Sequence, residues 1–558
     1  MESVALSVII PTYNRVALLR ACLEALKRQT QPAETFEVVV IVDGSTDGTM
    51  EMLENLEAPF RLRAVRQENS GQAAALNRGI AEASGRYCLF LDDDIVAVPE
   101  WISEHLRAQQ SQNRTVAVGQ ITLELAGRAD WYAHAFAEGW RQHYQDLNSG
   151  ASSLTWEGCY SGNLSAPRDV LVSLQGFSTQ LSRGFDIELG YRLWQAGCHL
   201  QYLSVAAGCQ IENKRFRELS RDAERAGAAE FRMYQRDPAT LSQSLGSFAA
   251  VSWRKLLLRR LLLGLRVPPR ILAAVGPFLR TPQRRYSWHG FIQNLCYWRG
   301  VRRTVGERDI WKRLTEGTPI LLYHAIGTRG EQAGAFVMPA RRFASHMKWI
   351  RRLGYTPLSL DDFLACQRTR TFPPVRSVVI TFDDGYADNF THAFPILKKH
   401  NIPASIFLVS QYVDQANHWD AEGELAHRPL MNWRQIKEMD AQGIRFGAHT
   451  RTHVDLTAAP PSQAEIEIAS SRTDIESELG RPVETFAYPF GRHDPAVQEM
   501  VVRSDYVAGC TVDAGLNTPT TPAHALRRSE IQGHDPVMRL MLALWLGDPE
   551  AIWKRTRT

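Results

Sequence analysis

The sequence predicts two α/β domains joined by a basic segment, and three observations lead to this prediction. The chain has 558 residues, more than a single hydrophobic core usually organises. Short apolar runs alternate with amphipathic stretches over residues 1–125, and the same alternation returns from residue 318 onward. Between them, residues 251–313 are rich in arginine and leucine. Alternation of strand and helix is typical of sheets with parallel strands.

The overall composition excludes several classes of protein. With 44% hydrophobic and 22% charged residues, the chain has the composition of a globular protein and not of a disordered one. Its net charge of +4 gives no support to a role in nucleic-acid binding. The eight cysteines are scattered without a CxxC pair, which excludes a zinc ribbon and favours buried thiols in a reducing compartment.

The sequence also indicates where the protein resides. Residues 1–8 carry no basic segment, and their apolar run is too short for a signal peptide. No stretch reaches the roughly 18 apolar residues that a membrane span needs. We therefore expect a cytoplasmic protein, with peripheral attachment to the inner face of the cell membrane as an open alternative.

In the first α/β region, polar clusters follow the predicted strands. The strands are predicted at residues 5–10, 37–42, 61–65 and 87–91, with helices at 16–29 and 72–83. Pro11, Thr12 and Tyr13 follow the first strand, Asp43 ends the second, and Asp92-Asp93-Asp94 follow the fourth. In an open α/β sheet the ligand crevice lies at the carboxyl ends of the strands, so these clusters should converge.

Three consecutive carboxylates after a buried strand indicate a cation site. Buried carboxylates are costly unless a positive charge accompanies them, and oxygen ligands suit Mg²⁺ or Mn²⁺. Such an ion could also bridge to a diphosphate. The alternative interpretation is a solvated, aspartate-rich turn.

Residues 5–235 resemble the family 2 inverting glycosyltransferases, which have the GT-A fold. The resemblance depends on SVIIPTYNR, VDGSTDGT, Asp92–Asp94 and the segment from Gly176 to Leu193. It implies that Asp92 and Asp94 form the DxD motif that holds Mg²⁺ or Mn²⁺ and the diphosphate, and that Asp186 is the general base. It further implies a nucleotide-sugar site at Pro11, Thr12, Tyr13, Asp43 and Asp93, and an acceptor pocket at Gly162 and Asn163.

Two positions depart from the family pattern. Val42 stands where a second acid usually precedes the glycine, and Phe185 replaces the glutamate before the base. The QxxRW motif of processive synthases is absent, and the nearest segment is Gln283-Arg284-Arg285-Tyr286. We therefore expect transfer of one or a few sugars and not polymerisation.

The basic segment, residues 251–313, carries 15 Lys and Arg residues against two acids, a net charge of +13 that leaves about −9 for the rest of the chain. Leucine blocks at 256–258 and 261–263 lie among these charges. Three interpretations remain open: solvated helix faces that pack against the domains, a helix on an anionic membrane surface, or RNA binding. The first two are favoured, and we expect no nucleic-acid partner.

The last third of the chain repeats the pattern with a different set of polar groups. Strands are predicted at residues 320–323, 377–382, 405–409, 445–448 and 485–487, which suggests a β/α barrel. Asp383 and Asp384 follow one strand, and His449 and His453 follow another. One aspartate and two histidines form a three-ligand set that suits Zn²⁺ or another divalent transition metal.

Residues 318–535 resemble the polysaccharide deacetylases of carbohydrate esterase family 4, through the motifs TFDDG and HTRTH. The family has a distorted β/α barrel. The resemblance implies that Asp384, His449 and His453 hold the metal and that Asp383 activates the metal-bound water.

Four further residues of this region are candidates for roles in the same reaction. The resemblance implies that the amide region of Phe490 helps to stabilise the oxyanion. Ala487 stands where many members have arginine, and the AYPFG form resembles a subgroup acting on poly-N-acetylglucosamine-like substrates, in which a later arginine orients the base; Arg528 is our candidate. His534 and His324 are candidates for the general acid and for a pocket-lining residue, respectively.

The sequence thus predicts three segments and a bifunctional enzyme. The segments are a glycosyltransferase domain at 1–235, a basic helical linker at 236–317 and a deacetylase domain at 318–558. The enzyme would transfer a sugar from a nucleotide sugar such as UDP-GlcNAc to a lipid-linked or oligosaccharide acceptor, and remove an N-acetyl group from a GlcNAc-type sugar. In the alternative reading one domain is catalytically degenerate and serves as a carbohydrate-binding or scaffolding module.

Overall fold

A computed structural model describes residues 4–127, 129–328, 331–420 and 422–551. The chain divides into two compact units that are each continuous in space but not in sequence. The first unit consists of residues 1–236 and 266–304, and the second of residues 237–265 and 305–558.

The first unit is built on an eight-stranded sheet. Its strands are β1 (Leu6–Thr12), β2 (Phe36–Asp43), β3 (Arg61–Gln67), β4 (Tyr87–Leu91), β5 (Ile95–Ala97), β6 (Thr115–Leu125), β7 (Asn163–Pro167) and β8 (His199–Glu212). They lie side by side in the order β3-β2-β1-β4-β7-β6-β8-β5. Strands β1 to β4 run parallel, whereas β7 pairs antiparallel with both β4 and β6. Strands β1, β2 and β4 are buried along their whole length, which agrees with their mainly apolar sequences.

Helices cover this sheet, and the predicted α/β class is confirmed. They span Val16–Leu26, Thr49–Glu54, Gln72–Glu82, Trp101–Ser111, Trp131–Asn148, Arg168–Ser173, Phe185–Gln195, Phe216–Arg236, Pro269–Ala273 and Pro282–Thr304. The helix from Val16 places Leu19, Leu23 and Leu26 on its buried side, and these residues are three or four positions apart, the spacing of one helix face. It ends at Leu26, three residues before the predicted end.

The strands of the second unit are β9 (Ile320–Tyr323), β10 (Ala325–Gly327), β11 (Val337–Pro339), β12 (Thr356–Leu358), β13 (Ser377–Phe382), β14 (Ser405–Leu408), β15 (Arg445–Ala448), β16 (Thr485–Ala487), β17 (Ala508–Cys510) and β18 (Ser529–Glu530). Most of them form a parallel, barrel-like sheet in the order β17-β16-β15-β14-β13-β9-β18, with β12 also paired to β13, whereas β10 and β11 form a separate two-stranded sheet. Because β17 and β18 stand at opposite ends of this order, the barrel is incomplete, which confirms the predicted distorted β/α architecture.

The helices of the second unit pack around this sheet. They span Gln243–Gly246, Trp253–Gly264, Arg308–Thr315, Ala340–Arg352, Leu360–Arg368, Phe394–His400, Trp433–Ala441, Pro461–Leu479, Pro495–Arg503 and Val537–Leu546. All six residues of β13 and all four of β9 are buried, so the residues that follow them emerge at the edge of a fully covered sheet.

The basic segment is divided between the two units. Residues 237–265 and 305–317 belong to the second unit, whereas residues 266–304 belong to the first. Leu256, Leu262 and Leu263 are buried, whereas Leu258 and Leu261 are exposed. No helix among the described residues combines the length and the apolar character of a membrane span. The three-part division at 235/236 and 317/318 stays a prediction.

Two glycines allow the helix Pro282–Thr304 to pack closely on the helix Phe216–Arg236. A Cβ added at Gly227 would lie 2.2 Å from the carbonyl oxygen of Tyr297, and one at Gly300 would lie 1.8 Å from that of Glu224. Both distances are far below a normal contact. Around this contact, Arg299 pairs with Glu224 at 3.2 Å and Tyr297 donates a 2.7 Å hydrogen bond to Glu230.

We predict that Gly300→Ala lowers the free energy of unfolding by about 1–3 kcal/mol, because the two helix backbones have to separate. Gly290→Ala in the same helix is the matched control. Nothing lies within 4 Å of a Cβ at Gly290, and alanine favours a helix by about 1 kcal/mol over glycine. Urea unfolding of the full chain measures both. Equal changes for the two variants would contradict the close packing at Gly300.

Candidate active sites

A cavity of about 580 Å³ opens at the carboxyl edge of the first unit's sheet. The ends of β1, β2 and β4 bring together the clusters that sequence analysis singled out, and the start of the helix Phe185–Gln195 adds a further carboxylate. The predicted site residues that line the cavity are Pro11, Thr12, Tyr13, Asp43, Asp92, Asp93, Asp94, Gly162 and Asp186. The predicted convergence therefore occurs.

The three consecutive aspartates are held by a ring of donors. Arg15 places Nη1 3.0 Å from both Asp93 and Asp94. Thr12 donates a 2.7 Å hydrogen bond to Asp93, and the side chain of Gln72 donates a 2.9 Å bond to Asp92. Arg15 lies within the SVIIPTYNR motif, yet its contact with these acids was not predicted, because the residues are nearly 80 positions apart.

Burial raises the pKa values of these three aspartates, and repulsion between neighbouring carboxylates adds to the effect. Burial, followed by the charges of Asp94 and Asp93, raises the pKa of Asp92 to about 7. Burial also raises the pKa values of Asp93 and Asp94, although Arg15 opposes both shifts. One guanidinium thus accompanies three carboxylates. The donor set consists of oxygen atoms at a site where a further cation would be stabilised, so these residues fit Mg²⁺ or Mn²⁺.

Asp43 is nearly fully buried and shapes the loop that follows β3. Its carboxylate accepts hydrogen bonds from the side chain of Gln67 at 2.8 Å and from the backbone amides of Ser70 and Gly71 at 2.8 and 2.9 Å. The carboxylate therefore fixes the chain between β3 and the helix Gln72–Glu82. This arrangement places Asp43 at the cavity wall with its oxygens already engaged by the protein.

Asp186 lies in the first turn of a helix, where backbone amides stabilise a carboxylate. Its oxygens accept from the amides of Ile187 at 3.0 Å and Ser161 at 3.4 Å. Burial raises its pKa, while the nearby Arg183 acts in the opposite direction. Gly162 lies close by, and a Cβ there would come 2.9 Å from Oδ2 of Asp92. Only glycine leaves this carboxylate oxygen accessible.

The acceptor-pocket prediction for Asn163 is wrong. Asn163 is completely buried, and its carbonyl oxygen accepts from the indole of Trp101 at 2.8 Å and contacts the His105 ring at 2.8 Å. Its amide nitrogen donates to the backbone carbonyls of Gln120 and Ala206. The amide nitrogen thus joins β7 to β6 and β8, and the carbonyl oxygen joins β7 to the helix Trp101–Ser111. Asn163 begins β7 directly after Gly162, and successive side chains of an extended chain point to opposite sides.

The second unit contains a cavity of about 880 Å³ at the carboxyl ends of β9, β13 and β15. Asp384, His449 and His453 meet there, with His449 Nε2 3.6 Å and His453 Nε2 3.4 Å from the same oxygen, Oδ1 of Asp384. All three are buried, and they are the residues of the described chain whose ligand atoms cluster within 4.8 Å of one another. The predicted triad is therefore assembled.

The surroundings of the triad fit a transition metal. Within the described residues, the buried Oδ1 of Asp384 has no hydrogen-bond partner. The ring of His449 contacts the carbonyl oxygen of Ala487 through Nδ1 at 2.8 Å, which leaves Nε2 directed at Asp384. Burial lowers the pKa of His453 well below its usual value, so this imidazole is neutral and can act as a ligand. The donor set of one carboxylate and two imidazoles suits Zn²⁺.

The neighbouring Asp383 has a different partner. Arg528, completely buried, donates from Nη1 and Nη2 to the two oxygens of Asp383 at 2.6 and 2.8 Å. Although burial acts to raise it, the pKa of Asp383 is lowered to about 2, mainly by the charge of Arg528 and then by that of His449. Arg528 Nε donates to the carbonyl oxygen of Thr511 at 2.8 Å, which fixes the guanidinium plane.

Four residues at or beside this site have a strained backbone. Asp384, Thr450, His453 and Phe490 have φ angles of +70°, +61°, +62° and +56°. Such angles are uncommon for residues other than glycine and cluster at functional sites. The exposed ring of Phe490 lies 4.7 Å from that of His453, and Trp419 stacks on the other side of His453 at 4.8 Å. The strained backbone thus orients the side chains of Asp384 and His453 and the ring of Phe490.

Other residues at this cavity divide into those that were predicted and those that were not. His324 lines the cavity, as suggested from its position after β9. His534 does not line it, and its ring contacts the carbonyl oxygen of Gly334 at 3.3 Å, which disfavours the general-acid interpretation. Sequence analysis missed Trp419 and Trp253, which also line it. No motif signals these two tryptophans.

Comparisons with known proteins match two separate segments of the chain. Residues 7–171 match the family Glycosyl transferase family 2, and residues 372–509 match the family Polysaccharide deacetylase. Validoxylamine A glucosyltransferase of Streptomyces hygroscopicus subsp. jinggangensis (strain 5008) is 31% identical over 241 residues, which cover 38% of this chain and 57% of that protein. The chain thus spans little more than half the length of that relative.

Two comparisons concern the second unit. YxkH of Bacillus subtilis (strain 168), which bears the name of a polysaccharide deacetylase, is 29% identical over 213 residues, covering 38% of this chain and 71% of that protein. The structure of the Streptococcus pyogenes deacetylase PplD in complex with acetate shares 25% identity at a TM-score of 0.36, covering 41% of this chain and 98% of that one. The two family matches, at residues 7–171 and 372–509, are consistent with a fusion of a glycosyl transferase family 2 domain and a polysaccharide deacetylase domain.

Proposed function

We propose that the chain is a bifunctional enzyme of cell-surface glycan synthesis. It transfers a sugar from a nucleotide sugar with inversion, and it hydrolyses the N-acetyl group of a GlcNAc-type sugar with the help of a metal. One observation carries the proposal: in each unit, the side chains that the reaction needs converge on one cavity although they come from segments far apart in the chain.

In the first unit, Asp186 acts as the general base. Its carboxylate faces the cavity, is held by two backbone amides, and can accept the proton of an acceptor hydroxyl. Its raised pKa favours proton uptake. A Mg²⁺ or Mn²⁺ ion at Asp92 and Asp94 would neutralise the departing diphosphate. Arg15 supplies a second positive charge on the same side of the cavity.

The donor and acceptor follow from the same cavity and from the relatives. The glycosyl transferase match and the named glucosyltransferase support a nucleotide-sugar donor and a glycan acceptor. We propose that Pro11, Thr12, Tyr13, Asp43 and Asp93 form the nucleotide side of the site, with UDP-GlcNAc as the candidate donor. Gly162 and the residues around it form the acceptor side, and a lipid-linked or oligosaccharide acceptor is the candidate.

In the second unit, Asp383 takes a proton from the attacking water, and Asp384, His449 and His453 would hold the metal. The ion pair with Arg528 keeps Asp383 ionised at working pH and fixes its orientation. Zn²⁺ or a related ion at the triad would lower the pKa of the water and polarise the acetamide carbonyl. Phe490 supplies the wall beside the carbonyl oxygen. His324 lines the cavity and is the candidate for the acid that protonates the leaving amine.

The covalent link between the two domains supports a shared substrate. A sugar added by the first unit, or one next to it, would be deacetylated by the second. The competing hypothesis is that one domain is catalytically degenerate and only binds carbohydrate. The intact sets of Asp186 in the first unit and Asp383 with its neighbouring triad in the second favour two active domains.

We further propose peripheral contact with an anionic membrane. The support is the basic segment itself, in which apolar side chains remain exposed among the arginines. Leu261, Leu265, Ile271 and Phe278 are 53%, 68%, 55% and 83% exposed. Exposed leucine and phenylalanine beside basic residues are the composition that an interfacial segment needs.

We predict that Asp186→Asn reduces glycosyl transfer by 10²–10⁴-fold and leaves nucleotide-sugar binding intact, because a carboxamide cannot accept the acceptor's proton. Transfer is measured with a nucleotide-sugar panel by mass spectrometry, and binding by calorimetry. Glu188→Gln, on the same helix and paired with Arg192, is the control and should retain activity. Transfer by Asp186→Asn at the native rate would remove Asp186 from the role of base.

We predict that His449→Ala abolishes acetate release and lowers the bound transition metal, because one of three protein ligands is lost. Asp383→Asn should instead keep the metal and lose activity. Metal content, acetate release and sugar transfer are measured for both variants. Sugar transfer should persist in both. Loss of metal in Asp383→Asn together with its retention in His449→Ala would invert the two roles.

The Arg528 pair predicts a specific pH dependence. The charge of Arg528 lowers the pKa of Asp383 to about 2. The activity of the native deacetylase should therefore not fall at the acidic end of the assayed pH range through protonation of Asp383. Arg528→Met removes the charge, burial then raises the pKa of Asp383, and activity should fall as the pH is lowered. Arg528→Lys keeps the charge and should shift the limb less. Identical profiles of kcat/KM against pH for the three proteins would contradict this arrangement.

A further inference from the structure

The deacetylase cavity has a wall that lies outside the matched family region. Residues 372–509 match the family, whereas Trp253 and Arg254 also line the cavity and begin the helix Trp253–Gly264. This helix belongs to the same compact unit as the barrel. The cavity therefore includes two side chains from a helix that precedes the barrel strands in the chain.

The helix is anchored firmly enough to present these side chains. Its own residues Leu256, Leu262 and Leu263 are buried. Arg260 donates to the carbonyl oxygens of Trp545 and Thr315 at 3.0 and 3.2 Å. Buried Arg259 donates to the carbonyl oxygen of Phe248, and its guanidinium lies over the Phe248 ring at 5.1 Å.

Arg254 differs from these two arginines because its charge is not used for anchoring. Its guanidinium lies 5.3 Å from the centre of the Trp253 ring, and the side chain is exposed at the cavity rim. In the part of the chain that the structure describes, it forms no ion pair with a carboxylate. Its donors are therefore available to a ligand, next to a half-buried indole face that can pack against a sugar ring.

The other charged residues that line the cavity limit how a ligand can bind to Arg254. Six carboxylates line it, so the cavity as a whole does not attract anions; they are Asp383, Asp384, Asp420, Glu530, Asp548 and Glu550. An anion could be bound here only through direct, charge-assisted hydrogen bonds from Arg254. A planar guanidinium suits the paired oxygens of a phosphate group.

We propose that Trp253 and Arg254 form a subsite for a phosphate group attached to the acetamido sugar that the second unit deacetylates. The substrate class is thus a phosphate-bearing N-acetylated sugar, such as one linked to a carrier through phosphate. This proposal rests on the proposed deacetylase function. It adds a recognition element that the metal triad and Asp383 do not provide.

The test compares two substrates that differ in the phosphate alone. Acetate release by the metal-loaded full chain is measured with N-acetylglucosamine 1-phosphate and with the neutral methyl glycoside of N-acetylglucosamine. Arg254→Ala should raise KM for the phosphate about 10-fold, with kcat within about two-fold, and leave KM for the neutral glycoside unchanged. Arg254→Lys should restore part of the difference.

Lys255→Ala is the matched control, because Lys255 is an exposed neighbour that does not line the cavity. It should leave both KM values unchanged. Equal KM changes for the two substrates in Arg254→Ala, or no change in either, would overturn the phosphate subsite.

A binding experiment separates this proposal from the proposed function. If the native chain released acetate from neither substrate, the deacetylase proposal would fail for both, and binding of N-acetylglucosamine 1-phosphate would be measured by calorimetry. Weaker binding to Arg254→Ala than to Lys255→Ala would still support the subsite. Absence of binding to the native chain, or equal binding to both variants, would overturn it.

Discussion

The carboxylates of both sites emerge from the ends of buried strands, and the protein has to compensate their charge locally. A carboxylate removed from water is stable only with hydrogen bonds or a cation beside it. In the first unit, Thr12, Gln72 and Arg15 surround the aspartates that follow β4. In the second unit, Arg528 and two imidazoles surround those that follow β13. The positions of these partners determine what each acid can do.

The adjacent residues Asp383 and Asp384 show how compensation divides chemical roles. Asp383 receives both arms of a buried guanidinium, which keeps it ionised and holds it in one orientation. Asp384 adopts a φ angle of +70° and turns one oxygen toward two histidines without a hydrogen-bond partner in the described residues. The first arrangement satisfies a carboxylate within the protein, whereas the second leaves it in need of an ion. A base and a metal ligand can thus occupy consecutive positions.

The basic segment acquires its roles through packing and not through its total charge. Arg259 and Arg260 bind backbone carbonyls within the second unit, and Arg299 pairs with Glu224 within the first. Burial lowers the pKa of Arg259 to about 10, which shows how far this side chain is removed from solvent. A net charge of +13 therefore overstates the charge that is free to meet a partner. Arg254 belongs to the remainder.

The sequence by itself determined the α/β class, the strand ends that carry polar groups, and the three residues that we propose as metal ligands. Apolar strands and the residues that follow them are local patterns, and parallel strands bring their carboxyl ends to one edge. The sequence also suggested Arg528, but only through a family resemblance. Its contact with Asp383 joins residues 145 positions apart and is visible only in the folded chain.

Tertiary structure alone decided which neighbouring side chains face a cavity. Asn163 follows Gly162 directly, yet one is committed to a buried hydrogen-bond network while the other borders Asp92. Trp253 and Arg254 reach the deacetylase cavity from a helix that no motif connects with it. Local periodicity specifies which residues are buried or exposed, but it does not specify which distant element covers them. That information resides in packing between elements far apart in the chain.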